Sequence, residues 1–200
     1  MNDSLAASTR EYVQRREMTL EERLAEERIL FLWGEIGPQS AGGVIMHMLE
    51  LQSKNPTREI HLYINSPGGS VDDTLAIYDT MQFLTCPVAT YCVGQAASGA
   101  ALILASGTKG KRFALPHSKV MIHQPYGGVT GQVSDVKIQA EEILKAKKLL
   151  NEILSRHTGK DVETVRQATE RDRFLTPAEA VEFGLVDEII ESHSQNKKDK

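Results

Sequence analysis

Val88-Ala89-Thr90-Tyr91-Cys92-Val93-Gly94-Gln95-Ala96-Ala97-Ser98-Gly99-Ala100-Ala101-Leu102-Ile103-Leu104-Ala105 is the stretch on which the fold turns. Its first six residues are short, β-branched and aromatic, and predict a buried strand. Residues 100–105 are apolar throughout and predict a buried helix that stops near Gly107. Between the two, a run of small residues makes a sharp strand-to-helix turn with Ser98 at its corner. A serine there has its hydroxyl presented and its neighbouring N–H groups uncrowded. Nucleophilic acyl transfer needs both, an exposed Oγ and amide donors for the oxyanion. The same residues also suit a plainer role, in which Ser98 only caps a closely packed helix.

Three other segments bear on that choice. Val120-Met121-Ile122-His123-Gln124-Pro125 is an apolar strand that ends in a histidine and breaks at a proline. An imidazole held at a strand end can reach into a cleft and serve as general base near neutral pH. Glu170-Arg171-Asp172-Arg173-Phe174-Leu175-Thr176 places Asp172 beside apolar residues, where a carboxylate can orient an imidazole. The alternative for Asp172 is a surface ion pair with Arg171 or Arg173. Glu59-Ile60-His61-Leu62-Tyr63-Ile64-Asn65 reads as a strand, followed by the tight loop Ser66-Pro67-Gly68-Gly69-Ser70 and a helix over 71–83. Gly69 N–H lies at that helix mouth and, with Gly99 N–H, would supply two oxyanion donors. Read as structure alone, Ser-Pro-Gly-Gly is simply a turn.

These segments, taken in order, resemble the Clp protease proteolytic subunits, the ClpP family. The likeness rests on Tyr63-Ile64-Asn65-Ser66-Pro67-Gly68-Gly69, Ile77-Tyr78-Asp79-Thr80-Met81-Gln82 and Gly94-Gln95-Ala96-Ala97-Ser98. It continues through Gly110-Lys111-Arg112-Phe113, Met121-Ile122-His123-Gln124-Pro125, Thr169-Glu170-Arg171-Asp172-Arg173-Phe174, Ala178-Glu179-Ala180 and Phe183-Gly184-Leu185-Val186-Asp187. It spans roughly residues 20–190, and a string of motifs is far more specific than any one of them. The resemblance implies Ser98 as nucleophile, His123 as base, Asp172 as its orienter, and Gly69 and Gly99 as oxyanion donors. Many members carry methionine after the nucleophile, whereas this chain has Gly99. That exchange keeps the backbone donor, loosens the turn and alters the pocket floor. Small-residue versions occur among members that work beside a second subunit type, so homomeric and mixed rings both stay open.

Further along, the strand–loop–helix unit starting at Glu59 is repeated from Val88. Strands alternating with helices argue for βαβ units and a parallel sheet, an α/β fold. The likeness narrows this to a crotonase-like ββα superhelix. Residues 20–27 read as a short helix, 29–33 as a first core strand, and 40–51 as an amphipathic helix with Val44, Met48 and Leu51 on one face. Residues 1–19 are expected to be mobile, as an axial gate or propeptide, and residues 191–200 to be a polar tail. The domain proper is expected at 20–190, with a handle at 124–157. Within it Val133, Val136, Ala140, Ile143, Leu150 and Leu154 recur at helical spacing, and Glu141 can pair with Lys145. A helix of about 25 residues is about 38 Å long, more than a compact domain of this size needs. It is either an ordinary packing helix or, as the resemblance implies, a protruding strand-plus-helix handle that interlocks two rings.

Two hundred residues at a net charge of −4 suit one globular domain and give no electrostatic case for nucleic acid or an anionic membrane. Cys86 and Cys92 lie in apolar strand contexts and read as small core residues of a reducing compartment. Nothing approaches the ~20 apolar residues of a membrane span, and the first residues lack an apolar signal core. A cytoplasmic protein is expected. Gly110-Lys111-Arg112 and Gly159-Lys160-Asp161 lack the remainder of a phosphate loop, so no ATP site is legible. His47, His117, His157 and His193 form no ligand spacing, and no metal or other cofactor is implied.

The reading is therefore a serine endopeptidase subunit acting on unfolded protein. The resemblance implies two stacked seven-membered rings, a tetradecamer, fed by an AAA+ unfoldase that uses the ATP. Arg171 and Asp135 are the assembly candidates, as a bidentate pair between facing subunits. His61, Tyr63, Tyr91, Phe113 and Leu115 are the positions that match the family's unfoldase-docking pocket. Period-two spacing puts His61 with Tyr63, and Phe113 with Leu115, on one strand face. His61 stands where an aromatic is commoner, which makes one wall more polar. Two other functions compete: a weakly active scaffold subunit, and an acyl-CoA hydratase or isomerase of the same superfamily, which needs no nucleophilic serine.

Overall fold

The computed structural model describes residues 18–128 and 130–191. The expectations for the N-terminal segment and the polar tail fall almost wholly outside the described residues. The sheet is organised around β3 (Val88–Ala97), which runs four residues beyond the predicted strand. One edge of β3 pairs in parallel with β2 (Ile60–Ser66). Its other edge serves two neighbours in turn. Thr90–Cys92 pair with β4 (Arg112–Ala114), and Gln95–Ala97 pair with β5 (Lys119–Ile122). At the changeover Gly94 takes φ 84°, and the register jumps from Ile64 opposite Cys92 to Ser66 opposite Ala96. β3 thus carries two more residues than β2 over that step, the signature of a bulge. The full order is β1 (Ile29–Trp33), β2, β3, β4 and β7 (Glu188–Ile189), with β6 (Arg173–Leu175) antiparallel to β5.

The remaining elements follow from which faces need covering. β2 alternates strictly, burying Ile60, Leu62 and Ile64 and leaving His61 and Tyr63 half-exposed. α1 (Leu20–Glu26) starts on a capping box between Thr19 and Glu22. α2 (Pro38–Lys54) turns Val44, Met48 and Leu51 inward as its periodicity predicts, together with Ala41. α3 (Val71–Phe83) buries Thr74, Ile77, Tyr78 and Met81. α4 (Gly99–Ala105) is apolar on every side and correspondingly buried on every side from Ala100 onward. Each fully buried aliphatic side chain contributes about 1.5–3 kcal/mol. Cys86 and Cys92 are free and buried, and burial pushes the Cys92 thiol up to about 11.

α5 (Val133–Thr158) has 26 residues and is about 39 Å long. Only Asn151, Ile153 and Leu154 of it are buried, while Val133, Ile138 and Leu144 are 88%, 59% and 64% exposed. Its N-terminal part therefore stands clear of the core, as a projecting handle requires and a packing helix does not. Two details differ from expectation. Lys145 pairs with Glu142 at 2.6 Å, three residues back rather than four; both positions lie on the same helical face. No strand forms among the described residues between Ile122 and Val133. A strand takes its hydrogen bonds from a neighbour, and here only Gln124 N–H finds one, on the Thr169 carbonyl. α6 (Val162–Ala168) packs on α5, and α7 (Pro177–Phe183) packs against the sheet at β5, β6 and β7.

Arg112 joins this last region to the core. Its side chain is 4% exposed, and its Nη2 and Nε donate to Asp187 at 2.5 and 2.9 Å. Its Nη1 faces the carbonyls of Ala105, His157 and Gly184. Burial alone would raise the Asp187 carboxyl; the Arg112 hydrogen bonds and charge outweigh it and hold the group below its ordinary 3.8. Because the folded value is depressed, the stabilisation is complete above pH 3.8 and is lost as pH falls through the lower folded value. Asp187→Asn leaves a buried guanidinium unpaired, so urea unfolding at neutral pH should show a loss of about 3 kcal/mol. A loss under about 1 kcal/mol would mean that the carbonyls alone hold Arg112.

Candidate active site

The pairing of Ala97 with Met121 fixes where β3 ends relative to β5, and Ser98 N–H donates to the Met121 carbonyl at 2.9 Å. Ser98 itself sits at φ 57°, ψ −125°, a conformation non-glycine residues rarely hold and that costs about 1–3 kcal/mol. The corner turns its hydroxyl away from the helix it precedes. Ser98 makes no side-chain capping bond to α4, which removes the plain helix-cap reading. Its Oγ instead lies 2.9 Å from His123 Nε2.

His123 follows directly on β5, and its side chain is 11% exposed. Its Nδ1 lies 3.0 Å from Asp172 Oδ1. A carboxylate only accepts, so Nδ1 carries the proton and Nε2 is left to accept from the Ser98 hydroxyl. Asp172 thus faces the imidazole, not Arg171 or Arg173, and the guanidinium of Arg173 rests 5.0 Å over the Phe183 ring. The Tyr126 ring meets His123 edge-on at 5.7 Å.

The 66–70 loop is drawn alongside by residue 36. Ile36 N–H donates to the Gly68 carbonyl and Ser70 N–H to the Ile36 carbonyl, making a parallel bridge with Gly69. Gly68 takes φ 89°, and a Cβ on it would stand 2.7 Å from Ser98 Cβ and 2.9 Å from Gly99 N. Only a glycine lets the loop lie this close to the serine corner. Among the described residues, neither Gly69 N–H nor Gly99 N–H is taken up in a hydrogen bond. A cavity of about 460 Å³ gathers Ser98, His123, Asp172, Gly69 and Gly99, with Val71, Leu102 and Leu154 as apolar wall. Such a row can move a proton from hydroxyl to imidazole while the amides meet developing negative charge.

Glu35, Thr74 and Tyr126 also line this cavity and were not foreseen. No periodic or motif signal marks them, since they arrive from three separate segments. The other candidates lie elsewhere. His61, Tyr63, Tyr91 and Phe113 form one ladder on the open sheet face, with Tyr63–Tyr91 stacked at 4.5 Å and Tyr91–Phe113 at 5.1 Å. His61 Nδ1 and Tyr91 Oη are 2.9 Å apart, so the polar wall keeps its partner. Leu115 is half-buried just beyond β4, and Phe31 with Trp33 extends the ladder. Asp135 and Arg171 are exposed, and no ion pair joins them within the chain. His157, at the end of α5, faces Tyr78 Oη, and burial together with Arg112 and Arg156 holds its pKa down. Among the described residues no group of His, Cys, Asp or Glu could hold a metal ion, and no helix is long and apolar enough to cross a membrane.

A crotonase-like fold with serine, histidine and carboxylate in one hydrogen-bonded row defines the class as a serine hydrolase. A family model described as Clp protease matches residues 12–193. ATP-dependent Clp protease proteolytic subunit 1 of Rhodopirellula baltica (strain DSM 10527 / NCIMB 13988 / SH1) is 55% identical over 195 residues, covering 98% of this chain and 86% of that protein. The chain belongs to the Clp protease family, and with it to the serine endopeptidases. Because the Gly68 loop touches the serine corner, Gly68→Ala should slow covalent labelling by a fluorophosphonate about a hundredfold. A labelling rate within threefold of wild type would show that the loop can retreat without consequence.

Proposed function

We propose that this chain hydrolyses peptide bonds of unfolded proteins through Ser98, His123 and Asp172. The reading is carried by the continuous row from Ser98 Oγ to His123 Nε2 at 2.9 Å and from His123 Nδ1 to Asp172 Oδ1 at 3.0 Å. His123 takes the proton as Ser98 attacks the scissile carbonyl, and Asp172 holds the imidazole tautomer. Gly69 and Gly99 N–H bind the oxyanion. His123 then protonates the leaving amine and activates the water that releases the acyl group. A crotonase-type hydratase could use the same pair of amides but has no need of a serine bonded to an imidazole. A pure scaffold subunit would need neither. No metal or cofactor takes part, and a cytoplasmic setting suits two buried free thiols.

Ser98→Ala should abolish cleavage of a fluorogenic peptide and all fluorophosphonate labelling, with a fall of ~10⁴-fold or more and the fold unchanged. His123→Ala should do nearly the same. Retention of more than about a tenth of wild-type turnover in either would exclude this triad.

The family further supports stacked seven-membered rings enclosing the sites, homomeric or mixed with a second subunit, with ATP hydrolysed by a Clp-type AAA+ unfoldase. The ladder of His61, Tyr63, Tyr91 and Phe113, with Leu115 beside it, suits an apolar loop of that unfoldase. The His61 imidazole, though partnered by Tyr91, offers that loop less apolar surface, so this face docks it weakly or a second subunit type supplies the better face. The exposed part of α5 is the element offered to a facing ring. Arg171 beside Asp172 would join that ring through a carboxylate such as Asp135 of a second copy. Arg171→Ala should then shift particles on a sizing column toward single rings and lower peptidase activity in parallel. Full-sized, fully active particles would remove Arg171 from the contact.

A further inference from the structure

Thr74 lies on α3, one turn beyond the Gly68–Gly69 loop, and is 1% exposed. Its hydroxyl donates to the Ser70 carbonyl at 2.8 Å, and its side chain lines the cavity beside Ser98. A Cβ built on Gly99 would stand 2.3 Å from Thr74 Oγ1, 3.1 Å from its Cγ2 and 3.2 Å from its Cβ. Every one of those contacts is to the side chain of Thr74. Gly99 begins α4 and is not among the glycines at positive φ. Its missing side chain is therefore a matter of space, and Thr74 occupies that space. The threonine cannot simply swing aside, because it is buried and its hydroxyl is committed to Ser70.

We infer that Thr74 is a specificity-determining residue, which supplies from α3 the bulk that position 99 lacks and so sets the size of substrate side chain accepted next to Ser98. This inference rests on Ser98 being the nucleophile. The side chain in question belongs to the residue whose carbonyl is attacked. It meets a wall to which α3 contributes both Val71 and Thr74 and which Leu102 and Leu154 continue. A β-branched wall at this point favours small and medium apolar side chains over aromatic ones. A pocket distinguishes side chains differing by one methylene by about 10–200-fold, so removing the Thr74 branch should be readable. The same geometry makes positions 74 and 99 interdependent: bulk is tolerated at one only when it is absent from the other.

The test uses the assembled enzyme and three fluorogenic peptides that differ only in the residue before the cleaved bond: Ala, Leu and Phe. Thr74→Ala should raise kcat/KM for the Phe peptide relative to the Ala peptide about tenfold, and Thr74→Ser, which keeps the bond to Ser70, should give a smaller shift in the same direction. Gly99→Met alone should lose activity on all three about a hundredfold. Adding Thr74→Gly to it should restore at least tenfold of that loss. A Phe-to-Ala ratio unchanged within twofold in Thr74→Ala, or a double variant no better than Gly99→Met, overturns the inference. Fluorophosphonate labelling of each variant separates this from the underlying reading. Normal labelling of Ser98 with an unmoved ratio sinks only the role of Thr74. A wild type that takes no label and cleaves none of the peptides sinks the nucleophile itself.

Discussion

The parallel pairing of Gln95–Ala97 with Lys119–Met121 is the constraint on which the site depends. It anchors Ser98 through its amide on the Met121 carbonyl and delivers His123 two residues further along the same strand direction. A slip of one residue would carry the imidazole about 3.3 Å along and turn it to the opposite face, breaking its contact with Ser98. That register is possible only because β3 changes neighbours. Thr90–Cys92 are taken by β4, and only past the irregularity after Cys92 do Gln95–Ala97 come beside β5. Gly94 makes the changeover cheap: at φ 84° a side chain there would be strained and would press on the Asn65 side chain.

What the sequence discloses is what depends on neighbours along the chain. The span of α3, the start of β1 and the inward face of α2 all follow from local periodicity. Ser98, His123 and Asp172 are legible because each stands where a regular element breaks. The last four residues of β3 are not, since Gly-Gln-Ala-Ala carries no strand propensity and is extended only because β2 and β5 hold it from both sides. The expected strand of the handle is missing for the complementary reason: among the described residues, none of 125–128, 130 and 131 has a strand beside it to share hydrogen bonds with. The fit of Thr74 against Gly99 is equally silent, because it joins two helices through a contact that no spacing encodes.

Asp172 poses a separate physical problem. At 61% exposure its bond to His123 competes with water, and an exposed ion pair contributes little to its own geometry. The position of the carboxylate must come from the backbone that carries it. That backbone is tied on both sides. Gln124, next to His123, donates its N–H to the Thr169 carbonyl at 2.6 Å and its side-chain amide to the Glu170 carbonyl at 2.9 Å. The segments bearing the imidazole and the carboxylate are therefore stitched together immediately behind the two side chains.

The second tie runs to α5. Buried Thr169 places its Oγ1 between Asn151 Oδ1 and the Val165 carbonyl, and Lys147 Nζ meets Glu170 Oε2 at 2.9 Å. Asn151 and Lys147 both stand on α5, at the point where the helix leaves the core. The hydrogen bond from Lys147 and then its charge lower the pKa of the Glu170 carboxyl. A helix whose outer half buries no side chain among the described residues is thus bonded at its base to the loop that carries Asp172. Residues 147–151 connect the base of α5 with the loop that carries Asp172, whereas Ser98 is held from the sheet side through the Met121 carbonyl and the Gly69 loop through Ile36. The most exposed member of the row is the one whose loop is bonded to the base of α5.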